Sequence, residues 1–338
     1  MIQVAIVNTV TSASSLHPDT SNAGSDQILL DVDDVWLSVN SDEGTVNILR
    51  GMSLQARAGE VTALLGPNGA GKTTTLSIAQ GLVKPSAGSV RLLGQDPFTA
   101  TAALRSQVGV MLQDGGLPPS VTPLRLIEHL AHLYREPLDI YALINRLEIT
   151  EFQDRTIRRL SGGQQQRVAM AAALIGRPSV IFLDEPSAGL DPVSRRVVFE
   201  LIQQMKHAGL AIVLTTHLLD DAEKLADRVI LINHGRVERE GTVAELTDRH
   251  DRPAVLFSVE TPLSDHALAD VPEALSVHRV TATEATGMVG METWQVRGLQ
   301  EPADYVELTR WWQRWDILPR DLSMSRRSLE DVFWEVTP

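Results

Sequence analysis

The chain has 338 residues, a 43% hydrophobic share, 22% charged residues and a formal net charge of -13 at pH 7. That length divides into two or more domains, and the composition is that of an ordinary globular protein rather than a disordered one. The acidic balance argues against a nucleic-acid-binding surface, which needs clustered Lys and Arg, and the lack of cysteine rules out disulfides and thiolate metal sites. No window approaches the roughly 18 apolar residues that a spanning helix needs.

The opening MIQVAIVNTV is apolar but has no basic stretch before it and no small-residue cleavage pattern after it, so it does not read as a signal peptide. Residues 1–27 are expected to form a flexible tail. From Ile28 to Val39 and from Val46 to Ala56 the residues favour strands, and Val61 to Leu65 is a short apolar run that meets Gly66 abruptly, as a buried strand would. A helical pattern follows Gly71 to about Gln80, and Val108 to Leu112 is another short strand. Between Pro118 and Arg158 the character turns helical, with Leu124, Ile127, Leu130 and Leu133 at helical spacing. The rhythm then resumes with a helix over Gly162–Ile175, a strand over Val180–Leu183, a helix over Pro192–His207 and a strand over Leu210–Thr215. Strands alternating with helices predict an α/β fold with a mostly parallel sheet, whose ligands gather at the carboxyl ends of the strands. From Asp251 a weaker pattern with several Gly and Pro reads as a small second domain, so the expected division is 28–250 and 251–338.

Three segments carry chemistry. Residues 66–73 read GPNGAGKT between a strand and a helix. Such a loop aims backbone N–H groups and a helix N-terminus at phosphate oxygens. Gly66, Pro67, Asn68, Gly69, Ala70 and Gly71 would form the cradle, Lys72 would pair with the β and γ phosphates, Thr73 would ligate Mg²⁺ and Thr74 would touch the α phosphate. Residues 180–185 read VIFLDE, placing Asp184 at a sheet edge where it could hold a magnesium-bound water, with Glu185 set to polarise an attacking water. Residues 160–167 read LSGGQQQR just before a helix, so Ser161, Gly162, Gly163 and Gln164 make a second anion-seeking helix end. The same serine would serve an ordinary helix as an N-cap, and adjacent acids after a strand often only begin a solvated loop.

Taken in order, the phosphate loop, LSGGQ, VIFLDE, SAGLDP and His217 resemble the ATP-binding cassette family over about residues 28–247. The resemblance implies a phosphate-loop nucleotide hydrolase cassette with an antiparallel β subdomain, a helical subdomain over about 114–160, and ATP with Mg²⁺ as cofactors. It further implies a head-to-tail homodimer in which Ser161 of one copy closes over ATP held by the other. Gln113 would contact the metal and the water, His217 would hold the γ phosphate, and Asp191 would cross the dimer interface. Where the family stacks adenine on an aromatic residue, alignment places Val39, and Trp36 three residues away should face the other side of its strand.

In transporters of this family the segment corresponding to Gln113–Pro119 and the helical subdomain receive a membrane subunit. The resemblance therefore implies a separate permease and a place on the cytoplasmic side of the membrane. The ending SLEDVFWEVT is similar to that of daunorubicin-type drug-resistance exporter ATPases, which also carry a small domain after the cassette. Cassette ATPases of translation or DNA maintenance, and importer ATPases with a regulatory tail, are the rival readings. Leu308, Trp311, Trp312 and Trp315 form a helix stripe expected in a core or dimer contact, and His129 with His132 are expected to be surface histidines.

Overall fold

A computed structural model describes residues 27–41, 44–112, 116–247, 254–280, 292–299, 301–325 and 328–336. Residues 1–26 of the expected tail, and Gln113, lie outside the described residues. The chain separates into two compact units, Met1–Val243 with Glu335–Pro338, and Ala244–Trp334.

In the first unit the elements run β1 (Ile28–Ser41), β2 (Gly44–Arg57), β3 (Val61–Leu65), α1 (Lys72–Ala79), β4 (Ala87–Leu92), α2 (Ala102–Arg105), β5 (Val108–Met111), α3 (Pro123–Ala131), α4 (Ile140–Arg146), α5 (Gly162–Leu174), β6 (Val180–Asp184), α6 (Pro192–His207), β7 (Ala211–Thr216), α7 (Leu219–Leu225), β8 (Arg228–Asn233) and β9 (Arg236–Thr242). Six strands form one sheet in the order β5-β6-β7-β3-β8-β9, parallel except for β9. Every residue of β3, β6 and β7 is buried, and their near-continuous apolar runs are what strands covered on both faces require. A separate antiparallel sheet, β2-β1-β4, packs its inward residues Leu30, Val32, Leu49, Met52 and Val90 into the same core as Leu64, Leu76 and Phe182.

The sequence dictates the helix boundaries locally. Asp191 caps α6 by accepting from the amides of Val193 and Ser194, each at 3.0 Å, and Pro192 occupies the first helical position, where its missing N–H costs nothing. Asp139 caps α4 through the amide of Ala142 at 2.7 Å. The stripe expected for α3 is displaced, since Leu126, Ile127 and Ala131 are buried while Leu133 is 68% exposed. The helix ends at Ala131, so Leu133 falls beyond its last turn and no longer shares the face that Ile127 buries.

The second unit contains β10 (Ala254–Val259), a short helix (Asp265–Ala269), β11 (Ser276–Val280), β12 (Glu292–Arg297), α8 (Pro302–Arg314) and β13 (Arg320–Ser325). Its antiparallel sheet has the order β11-β12-β10-β13. The tryptophan stripe of α8 is the core of this unit. Trp311 is 1% exposed and donates from Nε1 to the carbonyl of Ala267 at 3.0 Å, and Trp312 meets Phe257 edge-on with ring centroids 5.1 Å apart. Trp315 and Arg314 both donate to Asp270, at 2.8 and 2.7 Å, which holds that carboxyl below the usual range.

Candidate functional site

The strands β3, β7 and β6 lie side by side and end together, with Leu65 opposite Thr216 and Leu183 opposite Leu214. This register brings the loop after β3, the acids ending β6 and the histidine following β7 to one edge of the sheet. Parallel pairing is what places these three segments, far apart in the chain, at one site.

The loop after β3 turns on two glycines for different reasons. Gly71 has φ 107, and a Cβ there would meet Leu49 at 2.7 Å. Gly66 has no such torsion; a Cβ on it would strike the carbonyl of Ile232 at 2.3 Å, so this glycine is required by packing against β8. Gly69, at φ 84, has open space around it. Pro67 is half-buried, Asn68 is exposed and Ala70 is buried; the Ala70 amide donates to the carbonyl of Pro67 at 3.1 Å. Helix α1 follows Gly71, which supplies no side-chain cap, and has no acidic residue in its first turn, which leaves its amides and its positive end available to an anion.

Lys72 is 8% exposed, and its Nζ donates to the carbonyls of Gly66 at 2.7 Å and Pro67 at 3.1 Å. Burial lowers its pKa from the ordinary value, opposed by the nearby carboxylates of Glu185 and Asp184. A cation held so near two acids, with only carbonyl acceptors, is set to exchange those carbonyls for anionic oxygens.

Asp184 and Glu185 are both buried. Asp184 accepts from the Thr215 hydroxyl and, at 3.4 Å, from the Thr73 hydroxyl. A hydroxyl beside a carboxylate is a hard-oxygen donor pair that fits Mg²⁺, a cation that takes few protein ligands and keeps several waters. Thr74 is half-buried on α1 next to Thr73. Glu185 has φ 54, a left-handed conformation rare for a residue with a side chain. Its amide donates to both the carbonyl and the hydroxyl of Thr215, each at 3.2 Å, and its Oε2 lies 2.9 Å from Nδ1 of His217.

The LSGGQ segment forms a capping box at the start of α5. The Ser161 hydroxyl accepts from the Gln164 amide at 3.3 Å, and the Gln164 side-chain oxygen accepts from the Ser161 amide at 3.1 Å. Ser161 and Gly162 are exposed and Gly163 is half-buried. Asp191 is held below the usual carboxyl range chiefly by the Ser194 hydroxyl, which donates to it at 2.6 Å.

Comparison with known proteins identifies the arrangement. The sequence profile of the ABC transporter family matches residues 49–188. The doxorubicin resistance ATP-binding protein DrrA of Mycobacterium tuberculosis is 32% identical over 329 residues, covering 90% of this chain and 94% of that protein. The chain belongs to the ATP-binding cassette transporter family. The cassette is likewise similar to the daunorubicin/doxorubicin resistance ATP-binding protein DrrA of Streptomyces peucetius, 30% identical over 296 residues, covering 85% of this chain and 87% of that one. Among solved structures, an ATP-binding cassette captured as a dimer in a post-hydrolysis state with ADP and Pi is 28% identical at a TM-score of 0.58, covering 63% of this chain and 98% of the other. The protein is thus a nucleotide-binding ATPase subunit with doxorubicin- and daunorubicin-resistance ATP-binding proteins among its relatives. Among the described residues, no helix is long and apolar enough to cross a membrane.

Three contributors to the cassette site escape sequence reading. Thr215 is an ordinary strand residue until β6 and β7 pair and its hydroxyl meets Asp184. Asp221 is 1% exposed and accepts from Ser187, in the SAGLDP segment, while forming an ion pair with Arg195 of α6. Gln166 donates to the backbone carbonyl of Glu185. Each link joins residues 19 or more positions apart, and polar residue type was the only signal available.

Proposed function

We propose that two copies of this cassette close head-to-tail around two Mg-ATP and drive a separate membrane subunit that exports its cargo, with the cassette on the cytoplasmic face. The observation that carries this reading is the presence in one chain of both a phosphate loop backed by Lys72 and an exposed second helix end at Ser161 and Gly162. Each reaction centre would then take Lys72, Thr73, Asp184, Glu185 and His217 from one copy and Ser161 through Gln164 from the other, with Asp191 beside the interface.

In hydrolysis, water adds to the γ phosphorus as the bond to the β–γ bridging oxygen breaks, releasing ADP and inorganic phosphate. Glu185 accepts the water's proton, a contribution worth about 10² to 10⁴ in rate. The held backbone of Glu185 and its contact with His217 keep that carboxylate aimed. Lys72 and the amides of α1 bind the β and γ phosphates, and Mg²⁺, held through Thr73 and Asp184, supplies charge neutralisation when bound. Gln113 is assigned to the metal and the water by the family pattern alone. Loss of the bridging γ phosphate reopens the pair, which turns chemistry into a stroke.

Export, rather than import, is supported by relatives named for doxorubicin and daunorubicin resistance, whose similarity extends over 90% and 85% of this chain and so past the cassette. The test is Glu185→Gln. Turnover should drop by about 10² or more while Mg-ATP converts the variant from monomer to dimer in gel filtration. A variant that binds ATP and remains monomeric would refute the sandwich.

A further inference from the structure

Glu185 is fixed at more points than catalysis by one carboxylate requires. Its amide is held by Thr215, and its carbonyl accepts from the Ala188 amide at 3.2 Å and from the Gln166 side chain, Nε2, at 3.1 Å. A left-handed torsion on a residue with a Cβ persists only where the surroundings over-determine it. Gln166 is the one of these contacts that arrives from another helix.

That helix is α5, whose first residues are the LSGGQ end. Gln166 lies five positions after Ser161, about 7.5 Å along the axis. The run between them is stiff. Ser161 and Gln164 bond reciprocally in the capping box, and Gln165 donates from Nε2 to the carbonyls of Leu160 at 3.1 Å and Ile157 at 3.3 Å. The other side-chain atom of Gln166, Oε1, is buried with no hydrogen-bond partner among the described residues. A solvated glutamine on a helix face would satisfy both ends, and this one keeps only the bond to Glu185.

We propose that Gln166 is a positioning residue that ties the LSGGQ helix of each chain to the backbone of its own Glu185. Resting on the sandwich reading above, the tie makes each chain a connector between the two reaction centres. When Ser161 closes on a triphosphate held by a second copy, the displacement of α5 reaches the carboxylate that serves the chain's own nucleotide. The consequence is positive cooperativity between the two sites, carried by a single side-chain hydrogen bond.

The test replaces the donor without changing the side chain's length. In Gln166→Met, kcat should fall by about tenfold, in line with a small misplacement at a catalytic group. The Hill coefficient for ATP should fall from above 1 to about 1. The KM for ATP and the ATP-driven dimerisation of Gln166→Met in a Glu185→Gln background should stay within about twofold of the parent, because phosphate binding is untouched. Gln166→Leu, which also has no donor but a different shape from methionine, must behave likewise and guards against a packing defect peculiar to methionine. Unchanged kcat and cooperativity in both variants overturn the proposal, as does loss of ATP-driven dimerisation, which would make Gln166 a support of the LSGGQ end only. If Glu185→Gln with the native glutamine fails to dimerise, the sandwich itself falls and the connector falls with it.

Discussion

Nδ1 of His217, just past the end of β7, lies 2.9 Å from Oε2 of Glu185, just past the end of β6. The histidine side chain is 54% exposed and the glutamate 5%, so the pair spans the boundary between the interior and the space over the phosphate loop. A carboxylate only accepts, which places the proton on Nδ1 and turns Nε2 away from Glu185. The histidine therefore both orients the carboxylate and offers a second nitrogen to a ligand.

His217→Ala should lower kcat by about 10², the loss expected when the group that orients the catalytic carboxylate is removed. Binding of a fluorescent ATP analogue to the phosphate loop should change little, since Lys72 and the α1 amides remain. Steady-state turnover within about twofold of the parent would show that the contact with Glu185 is incidental.

Complementation decides whether the site is shared between two copies as proposed. Ser161→Arg introduces a bulky cation at the end that should face the other copy's γ phosphate, and it should stop turnover while leaving nucleotide binding to its own phosphate loop. Lys72→Ala removes the phosphate partner. A mixture of the two variants can build at most one intact site per mixed dimer, formed from the loop of the first and the LSGGQ end of the second. Turnover that reappears on mixing supports sharing. Activity in Ser161→Arg alone contradicts it.

Val39 bears on base selection. It is 46% exposed near the end of β1, and Trp36 spends its Nε1 on Asp34 at 2.9 Å while its ring borders Gly51. Alignment therefore leaves an aliphatic residue where the family has an aromatic face. GTP should compete with ATP with an inhibition constant within about tenfold of the ATP value, and Val39→Tyr should tighten both by roughly tenfold, since base stacking on an aromatic is worth about 1–3 kcal/mol. A strong native preference for adenine in the competition assay would show that another group recognises the base.

Much of the site is legible because a phosphate loop is a local object. Gly69, Gly71 and Lys72 sit between a short apolar strand and a helix, and those few residues already state an anion site. Ser161 with Gln164, and Asp191 with Pro192, are likewise helix starts written in adjacent letters. The stripe over Leu124 to Leu133 misleads because spacing alone does not say where a helix stops. Gly66 misleads more subtly, since the carbonyl of Ile232 that forbids its side chain lies 166 positions later and on another strand.

The sequence by itself determined the chemistry: the motif order, the apolar strands that end on Gly66 and Asp184, the helix caps, and the tryptophan stripe of α8. These depend on neighbours within a turn or a strand, where residue type and period decide the outcome. Only the tertiary structure decided which groups touch. The register of β6 against β7 brings Thr215 to Asp184, the ends of those strands bring His217 to Glu185, and the packing of α5 against β5, the neighbour of β6, brings Gln166 to the Glu185 carbonyl. The reason is physical: a hydrogen bond depends on tenths of an ångström and on angle, and those are fixed by how whole elements pack.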